Sequence, residues 1–419
     1  MDLIFLNRFF CPDHSATSQM VTDLASYLAS RGHRVRVIAS RQGYLDANSR
    51  LPSRETVQGV EVHRLWSSRF GRAGLPGRAV DYLSFYLTVG WHLRRLARAD
   101  DVVVAMTDPP LLSVLVYWAL TGRPVRVVNW LQDLYPEVAT ALGVGALGGR
   151  LGAWLRQVRN RSLRHATLNV AIGERMAKAV RASGIPSGQV RVVHNWADCE
   201  AIRPLAPAAN RLRHEWGVED AFVVGYSGNL GRAHAYATVL DAAALLLAEP
   251  IGVGATAGGR RAPVVFVFIG GGHWLADLRA EAARRGLDSM FRFHPYQPRE
   301  LLTHSLGVAD VHWISLRPAL EGLSVPSKFY GIAAAGRPIV FVGDPDGEIP
   351  RLLATYDCGR AVAEGDAAGF AAAVRQLRDD ADARERQGTN ARRMLEDRFG
   401  QQQALAAWEA LLGDVALSR

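Results

Sequence analysis

Lysine is nearly absent from this chain: of 49 basic residues only Lys178 and Lys328 are lysines. A lysine here runs against the coding bias expected of a GC-rich genome, so its position matters. Lys178 falls on a helical surface pattern. Lys328 closes Glu321-Gly-Leu-Ser-Val-Pro-Ser-Lys328 and precedes Phe-Tyr-Gly331 and an Ala-rich helical stretch. Ser324, Val325 and Ser327 around Pro326 would open that helix, and their N–H groups with Lys328 form a cradle for a diphosphate. A capped helix with a solvated lysine is the plain alternative. Tyr226-Ser-Gly228-Asn229-Leu-Gly231-Arg232 is a strand running into glycines, which permit close backbone approach, with Arg232 as a second cation for phosphate. Phe266–Ile269 followed by Gly270-Gly271-Gly272 repeats the junction, where exposed N–H groups can meet an anion or simply close a tight turn. Two other patterns fail on context. Gly143-x-Gly145-x-x-Gly148 has dinucleotide spacing but follows a turn-like segment, and Leu168 stands where an acid belongs. Asp344-Pro-Asp346 has metal-binding spacing but lies in a Pro- and Gly-rich turn, where Asp is favoured anyway, so no metal is expected.

The elements that must position these groups are short apolar runs alternating with amphipathic stretches. Strands are predicted at 3–6, 35–39, 101–105, 125–129 and 167–171, and again at 221–227, 264–269, 291–294, 311–315 and 338–342. Helices are predicted between them, including one over Val21, Leu24, Ala25 and Leu28 with Ser18 as N-cap, and others at 238–247 and 274–285. Strand–helix alternation means β-α-β units and parallel sheets. The expected organisation is an N-terminal Rossmann-like domain at 1–200, a second at 201–395, and a C-terminal helix at 396–419 that can return to the first domain. Residues 198–210 read as the linker and 249–263 as a Gly-rich insertion loop. Ligands are expected where the carboxyl ends of both sheets face a shared cleft.

With 419 residues, 49% hydrophobic and 21% charged, the chain excludes disordered, collagen-like and coiled-coil classes. Three distant cysteines, Cys11, Cys199 and Cys358, disfavour a disulfide scaffold or a cysteine zinc site. The longest apolar run, 111–120, falls short of the roughly 18 residues that span a bilayer. The chain opens on a strand-like LIFL rather than on a secretory pattern, so a cytoplasmic protein, peripheral at the inner face of the membrane, is expected. The net charge of +9 is not evenly spread: residues 1–200 hold 25 basic and 15 acidic side chains, the remainder 24 and 25. Two basic amphipathic stretches carry the excess. Val80–Arg98 holds Tyr82, Phe85, Tyr86 and Trp91 with Arg94, Arg95 and Arg98, and Leu147–Arg164 holds Trp154 among arginines. Aromatic anchors interleaved with arginines suit an anionic membrane rather than nucleic acid, with ordinary core-facing helices as the alternative.

In order along the chain, several motifs resemble glycosyltransferase family 4, polysaccharide-assembly branch. They are the Asn7–Gln19 loop, Thr107-Asp-Pro-Pro110, Asp133-Leu-Tyr-Pro-Glu137, Tyr226–Arg232, Gly270–Gly272, Val325–Gly331, Ala335-Gly-Arg-Pro338 and Gly343–Glu348. The resemblance implies the GT-B fold: two doubly wound Rossmann-like α/β domains facing a central cleft, with a helical C-terminal tail. It implies a retaining transfer of sugar from a nucleotide-sugar donor, without metal or other cofactor, to a glycan acceptor that is lipid-linked, in bacterial cell-surface or exopolysaccharide biosynthesis. Carried over by position, Gly228, Asn229, Arg232, Ser324, Val325 and Lys328 hold the donor diphosphate. Gly271, Pro295 and Tyr296, within Gly270–Gly272 and the His294–Gln297 loop, hold the base. Phe10 and Ser18 face the acceptor, and Asp133 and Glu321 are the catalytic candidates. Two departures stand out. The family's paired glutamates fall here on Leu323 and Gly331, leaving Glu321 displaced by two positions and Glu348 as one candidate for the ribose. The histidine often found before the first-domain aspartate is Gln132. Two other readings remain open: another GT-B enzyme such as a nucleotide-sugar epimerase, or a non-catalytic nucleotide-sugar-binding module at the membrane.

Overall fold

Strands buried on both faces need no polar alternation, and the apolar runs become such strands, paired in parallel. A computed structural model describes residues 1–13, 15–43, 51–71, 74–249 and 261–418. Most of the expected Gly-rich loop at 249–263 lies outside them. The chain divides into two compact units: Met1–His194 with Gly322–Ser324 and Gln402–Arg419, and Asn195–Glu321 with Val325–Gln401.

The first unit is built on an eight-stranded sheet: β1 (Asp2–Leu6), β2 (Arg34–Ser40), β3 (Arg54–Val57), β4 (Val60–Leu65), β5 (Val102–Ala105), β6 (Arg126–Leu131), β7 (Leu168–Ala171) and β8 (Val190–Val192). Its order is β3-β4-β2-β1-β5-β6-β7-β8, and only β3 runs antiparallel to its neighbour. The β3–β4 hairpin was not foreseen because β3 is short and half exposed and β4 carries Glu61, His63 and Arg64. It turns on Gln58 and Gly59, both at positive φ (49° and 81°), as a two-residue hairpin turn requires. The second unit carries six parallel strands, β9 (Phe222–Asn229), β10 (Val264–Gly271), β11 (Phe291–His294), β12 (Val311–Ser315), β13 (Ile339–Gly343) and β14 (Gly359–Ala363), in the order β11-β10-β9-β12-β13-β14. Each sheet reverses its winding once, at β1 between β2 and β5, and at β9 between β10 and β12. In doubly wound sheets such a reversal is where the loops beyond the strands part and leave a crevice.

Three local expectations change. Ser18 is not an N-cap: the helix is Ala16–Ser30, with Ser15 at the cap position and Ser18 buried one turn in. Residues 198–210 are not a free linker but part of the second unit. Asp198 turns the chain by accepting from the Glu200 and Ala201 amides, Arg337 Nη2 donates to the Leu205 carbonyl at 2.7 Å, and Asn210 caps the next helix through the Leu212 amide. The division of the chain therefore falls at 194/195 rather than 200/201. The C-terminal helix begins at Gln401 rather than near 396, and the preceding turn packs Phe399 edge-on against Tyr330 in the second unit.

The helix Gln401–Leu417 is held to the first unit by Trp408, wholly buried, whose ring lies 4.6 Å from that of Trp130 on β6. Glu409 beside it accepts from Tyr27 Oη at 2.9 Å and lies 3.1 Å from His33 Nε2. Among the described residues no helix is long and apolar enough to cross a membrane. Trp408→Ala should cost about 3–5 kcal/mol, the usual effect of emptying a tryptophan site. Urea unfolding followed by far-UV circular dichroism checks this; an unchanged midpoint would show the helix to be dispensable.

Candidate active site

At the reversal of the second sheet, β9 ends in Ser227-Gly228-Asn229 and β10 in Gly270-Gly271. Gly228 has φ +121°, and a Cβ there would lie 2.8 Å from Lys328 Cε. Gly270 has φ +132°, and its Cβ would lie 2.4 Å from the Gly228 carbonyl oxygen. Only glycine lets the two strand ends and the lysine share this space. Lys328 opens the helix Lys328–Ala334, and its Nζ lies 5.2 Å from the Tyr226 ring centroid and 3.1 Å from His234 Nε2. His234 Nδ1 is 2.6 Å from the Ser315 carbonyl at the end of β12. A carbonyl only accepts, so Nδ1 carries the proton and Nε2 offers its lone pair to the ammonium. Burial pushes the Lys328 ammonium down to about 8. Burial first, and the Lys328 charge second, push His234 down to about 3, which keeps the imidazole neutral as this pairing needs. His234 was not foreseen: it stands 94 residues from Lys328 in sequence, and no local spacing betrays it.

Around this pair the structure gathers part of the expected set. The Tyr296 ring lies over the end of β10, 3.1 Å from a Cβ built on Gly270 and 3.2 Å from one on Gly271, with Pro295 exposed beside it. Their loop is anchored by His294, stacked on Trp216 at 3.7 Å. Asn229 accepts from Tyr226 Oη through its carbonyl, and Arg232 is exposed and makes no ion pair among the described residues. Val325 is buried in the second unit, whereas Ser324 belongs to the first. Glu321, expected as a catalytic group, makes a structural contact with its side chain. Its Oε1 accepts from the Glu348 amide at 2.8 Å, capping the helix Glu348–Tyr356, and Gly347 leaves the room. A carboxylate there stabilises the positive end of the helix. Glu348 itself is buried at that helix start. Asp344 accepts from the Asp346 amide at 3.0 Å, so that pair forms a turn.

The reversal of the first sheet holds a second cluster. Asp133, just beyond β6, forms a backbone bridge with Ser324, and the Leu134 amide donates to the Leu323 carbonyl at 2.9 Å. Burial raises the Asp133 carboxyl, and a hydrogen bond from the Ser324 side chain opposes that shift. Asp108, beyond β5, is pushed up to about 6, chiefly by burial, with Arg8 opposing and Asp13 and Asp133 adding to the rise. The Arg8 amide donates to the Asp108 carbonyl at 2.7 Å, and the Arg8 guanidinium lies 5.0 Å from the Tyr82 ring. Asp108 and Arg8 had no assigned role, though both directly follow predicted strands, where such residues face the crevice. Phe10 and Ser18, expected at the acceptor, are both buried, 1% and 0% exposed, and present no side chain to a ligand. They pack beneath the loop they were taken from.

Two parallel-sheet domains, each with its crevice at a winding reversal, and a caged cation at one of them define a nucleotide-dependent transferase architecture. The chain belongs to the glycosyltransferases: residues 15–196 match the glycosyl transferase 4-like domain and residues 209–394 the glycosyl transferases group 1 domain. It is 25% identical over 375 residues, 85% of this chain and 86% of the other, to WcaI of Escherichia coli (strain K12), a protein named for glycosyl transfer in colanic acid biosynthesis. Its GT-B fold is shared with HepE of Anabaena, solved in complex with UDP (TM-score 0.71, 16% identity, 99% and 100% of the two chains covered). Sucrose-phosphate synthase of Thermosynechococcus elongatus has the same fold (TM-score 0.78, 14% identity, 99% of each chain).

Because the Lys328 charge is lost as pH rises through about 8, a diphosphate should bind more weakly at pH 9 than at pH 7. A charge-assisted hydrogen bond contributes about 1.5–3 kcal/mol, and the protonated fraction falls about tenfold over this range, so the loss should approach tenfold. Calorimetric titration with inorganic pyrophosphate checks this. Lys328→Arg should flatten the dependence, and a flat wild-type profile would remove Lys328 from the anion site.

Proposed function

We propose that the protein is a retaining glycosyltransferase that moves a sugar from a nucleotide-sugar donor to a lipid-linked glycan acceptor in bacterial cell-surface polysaccharide biosynthesis. The observation that carries this is the ammonium of Lys328, fixed by His234 beside the glycines of β9 and β10. HepE, which shares the fold, was solved with UDP and with UDP-glucose, which supports a uridine or related nucleotide at Gly271, Pro295 and Tyr296. Departure of the diphosphate is the step that needs help, and preorganised cations stabilise the charge as it develops. Lys328 and Arg232 take that part. The acceptor hydroxyl then attacks from the face the diphosphate leaves, and the departing phosphate oxygen takes its proton, so retention needs no protein base. Asp133 orients the sugar or acceptor from the first domain.

Membrane docking rests on the surface of the first unit. Val80, Leu83, Leu87 and Trp91 are each 46–67% exposed and recur every three or four residues along the helix Leu75–Leu96, forming an apolar stripe that faces solvent. Trp118, Leu151 and Trp154 extend it over two neighbouring helices. The Arg95 guanidinium lies 3.7 Å from the Trp91 ring, and Arg94 is in the same last turn. Apolar side chains rimmed by arginines match the boundary between acyl chains and anionic headgroups.

Lys328→Ala and Arg232→Ala should each lower turnover by about 10²-fold, the usual effect of removing one preorganised group, with the fold retained. Turnover should survive EDTA, since cations replace a metal. Wild-type rates in both variants, or loss on chelation restored by Mg²⁺, would refute the site. A donor panel in a product-NMR assay reports the anomeric outcome, and an inverted product would exclude retention.

Docking should be salt-sensitive, because each arginine near an anionic surface contributes about 1 kcal/mol and the field is screened within a Debye length. Sedimentation with anionic liposomes at low salt should pull the protein down. High salt, or Arg94, Arg95 and Arg98 replaced together by alanine, should release it. Protein left in the supernatant at low salt sinks the membrane reading.

A further inference from the structure

Beyond the carboxyl ends of β2 and β4 the first unit opens into a cleft of about 680 Å³. Its walls are Arg41 and Gln42, which follow β2, and the segment from Trp66 to Phe70, which follows β4. This is the same edge of the sheet on which Arg8 and Asp108 stand. Neighbouring strands lie about 4.8 Å apart, so the cleft sits one to two strands, roughly 5–10 Å, from the end of β1.

The wall after β4 is braced from below. The buried Asp81 carboxylate accepts from Ser68 Oγ at 2.6 Å, from the Phe70 amide at 2.8 Å and from the Gly71 amide at 2.6 Å. The buried Gln42 amide donates to the Ser67 and Ser68 carbonyls at 3.0 and 2.8 Å, and Thr88 Oγ1 donates to the Trp66 carbonyl. A buried carboxylate and a buried amide thus fix the backbone, yet Trp66 and Phe70 each keep 62% of their surface in solvent. A loop rigidly held while two large aromatic side chains stay exposed is preorganised for a ligand. Arg41 and Arg69 line the cleft and make no ion pair among the described residues, and no carboxylate is found in its described lining.

We infer that this cleft is a binding subsite for an anionic sugar of the acceptor: a pyranose ring packed on Trp66 and Phe70, with its carboxylate or phosphate held by Arg41 and Arg69. Guanidinium forks fit both anions, and an apolar sugar face fits an aromatic ring. The inference rests on the acceptor reading above. It narrows the acceptor to a chain that carries negative charge.

The test is calorimetric titration of the full chain with three probes: a glucuronate-containing disaccharide, its neutral counterpart with glucose in place of glucuronate, and glucose 1-phosphate. An anionic probe should bind at least about tenfold tighter than the neutral one. Arg69→Ala should abolish that preference, and Trp66→Ala should weaken the charged and neutral disaccharides alike, while pyrophosphate binding stays unchanged in both exposed-residue variants. Preference for the disaccharide assigns the anion to a sugar carboxylate, and preference for glucose 1-phosphate assigns it to a sugar phosphate. Equal affinity for charged and neutral probes, no binding of any, or indifference to both substitutions overturns the subsite. Failure of pyrophosphate to bind the wild type, with the acidic sugar still bound through Trp66, would instead overturn the donor site and leave this one standing.

Discussion

An ammonium group packed against a strand end needs a partner that accepts a hydrogen bond without carrying a charge that would compete for the ligand. A carboxylate would neutralise Lys328 and repel a diphosphate. His234 avoids this, because the Ser315 carbonyl claims the proton on Nδ1 and leaves only a lone pair for the lysine. The cation is therefore aimed but not cancelled. The rest of the site is arranged around keeping it so: two glycines clear the space, Tyr226 supplies a ring face, and β12 supplies the carbonyl that fixes the tautomer.

That arrangement depends on the winding of the sheet. Ser315 and Gly228 lie at the same end of the sheet because β9 and β12 are neighbours, and on the other side β10 brings Gly270 and the loop after β11 brings Tyr296. The first unit uses the same device with different chemistry. Its reversal at β1 and β5 collects carboxylates, Asp108 and Asp133, with Arg8 and Tyr82 between sequence-distant loops. One topology thus presents a caged cation in one domain and acids whose protons are held more tightly than usual in the other.

The sequence made the central strands legible because burial on both faces demands unbroken apolar runs, and all ten predicted runs are strands. β3, β8 and β14 escaped because edge strands carry polar residues and lack that signature, and β4 escaped because Glu61, His63 and Arg64 break its apolar run. Lys328 was legible through its rarity and the glycine junctions through their strand–glycine–helix order. His234 and Asp108 were not, since their importance comes from partners brought near by tertiary structure. The hydrogen bond from the Glu348 amide to Glu321 was not legible, because a helix cap acting across 27 residues leaves no local pattern. The burial of Phe10 and Ser18 was not legible, because a ligand-facing loop can still turn Phe10 into the core and the helix Ala16–Ser30 takes in Ser18 on its buried face.

The return of residues 402–419 to the first unit makes the second unit an insertion within the first. During synthesis Trp130 waits uncovered until the whole of 195–401 has emerged and Trp408 arrives, so the two units cannot mature independently in the order in which they are made. The same connectivity constrains recombination. A donor-binding unit exchanged at 194/195 alone would bring a foreign terminal helix to β6, whereas an exchange bounded at both 194/195 and 401/402 keeps the native tryptophan pair but must retain residues 322–324, which pair with Asp133 and Leu134 in the first unit.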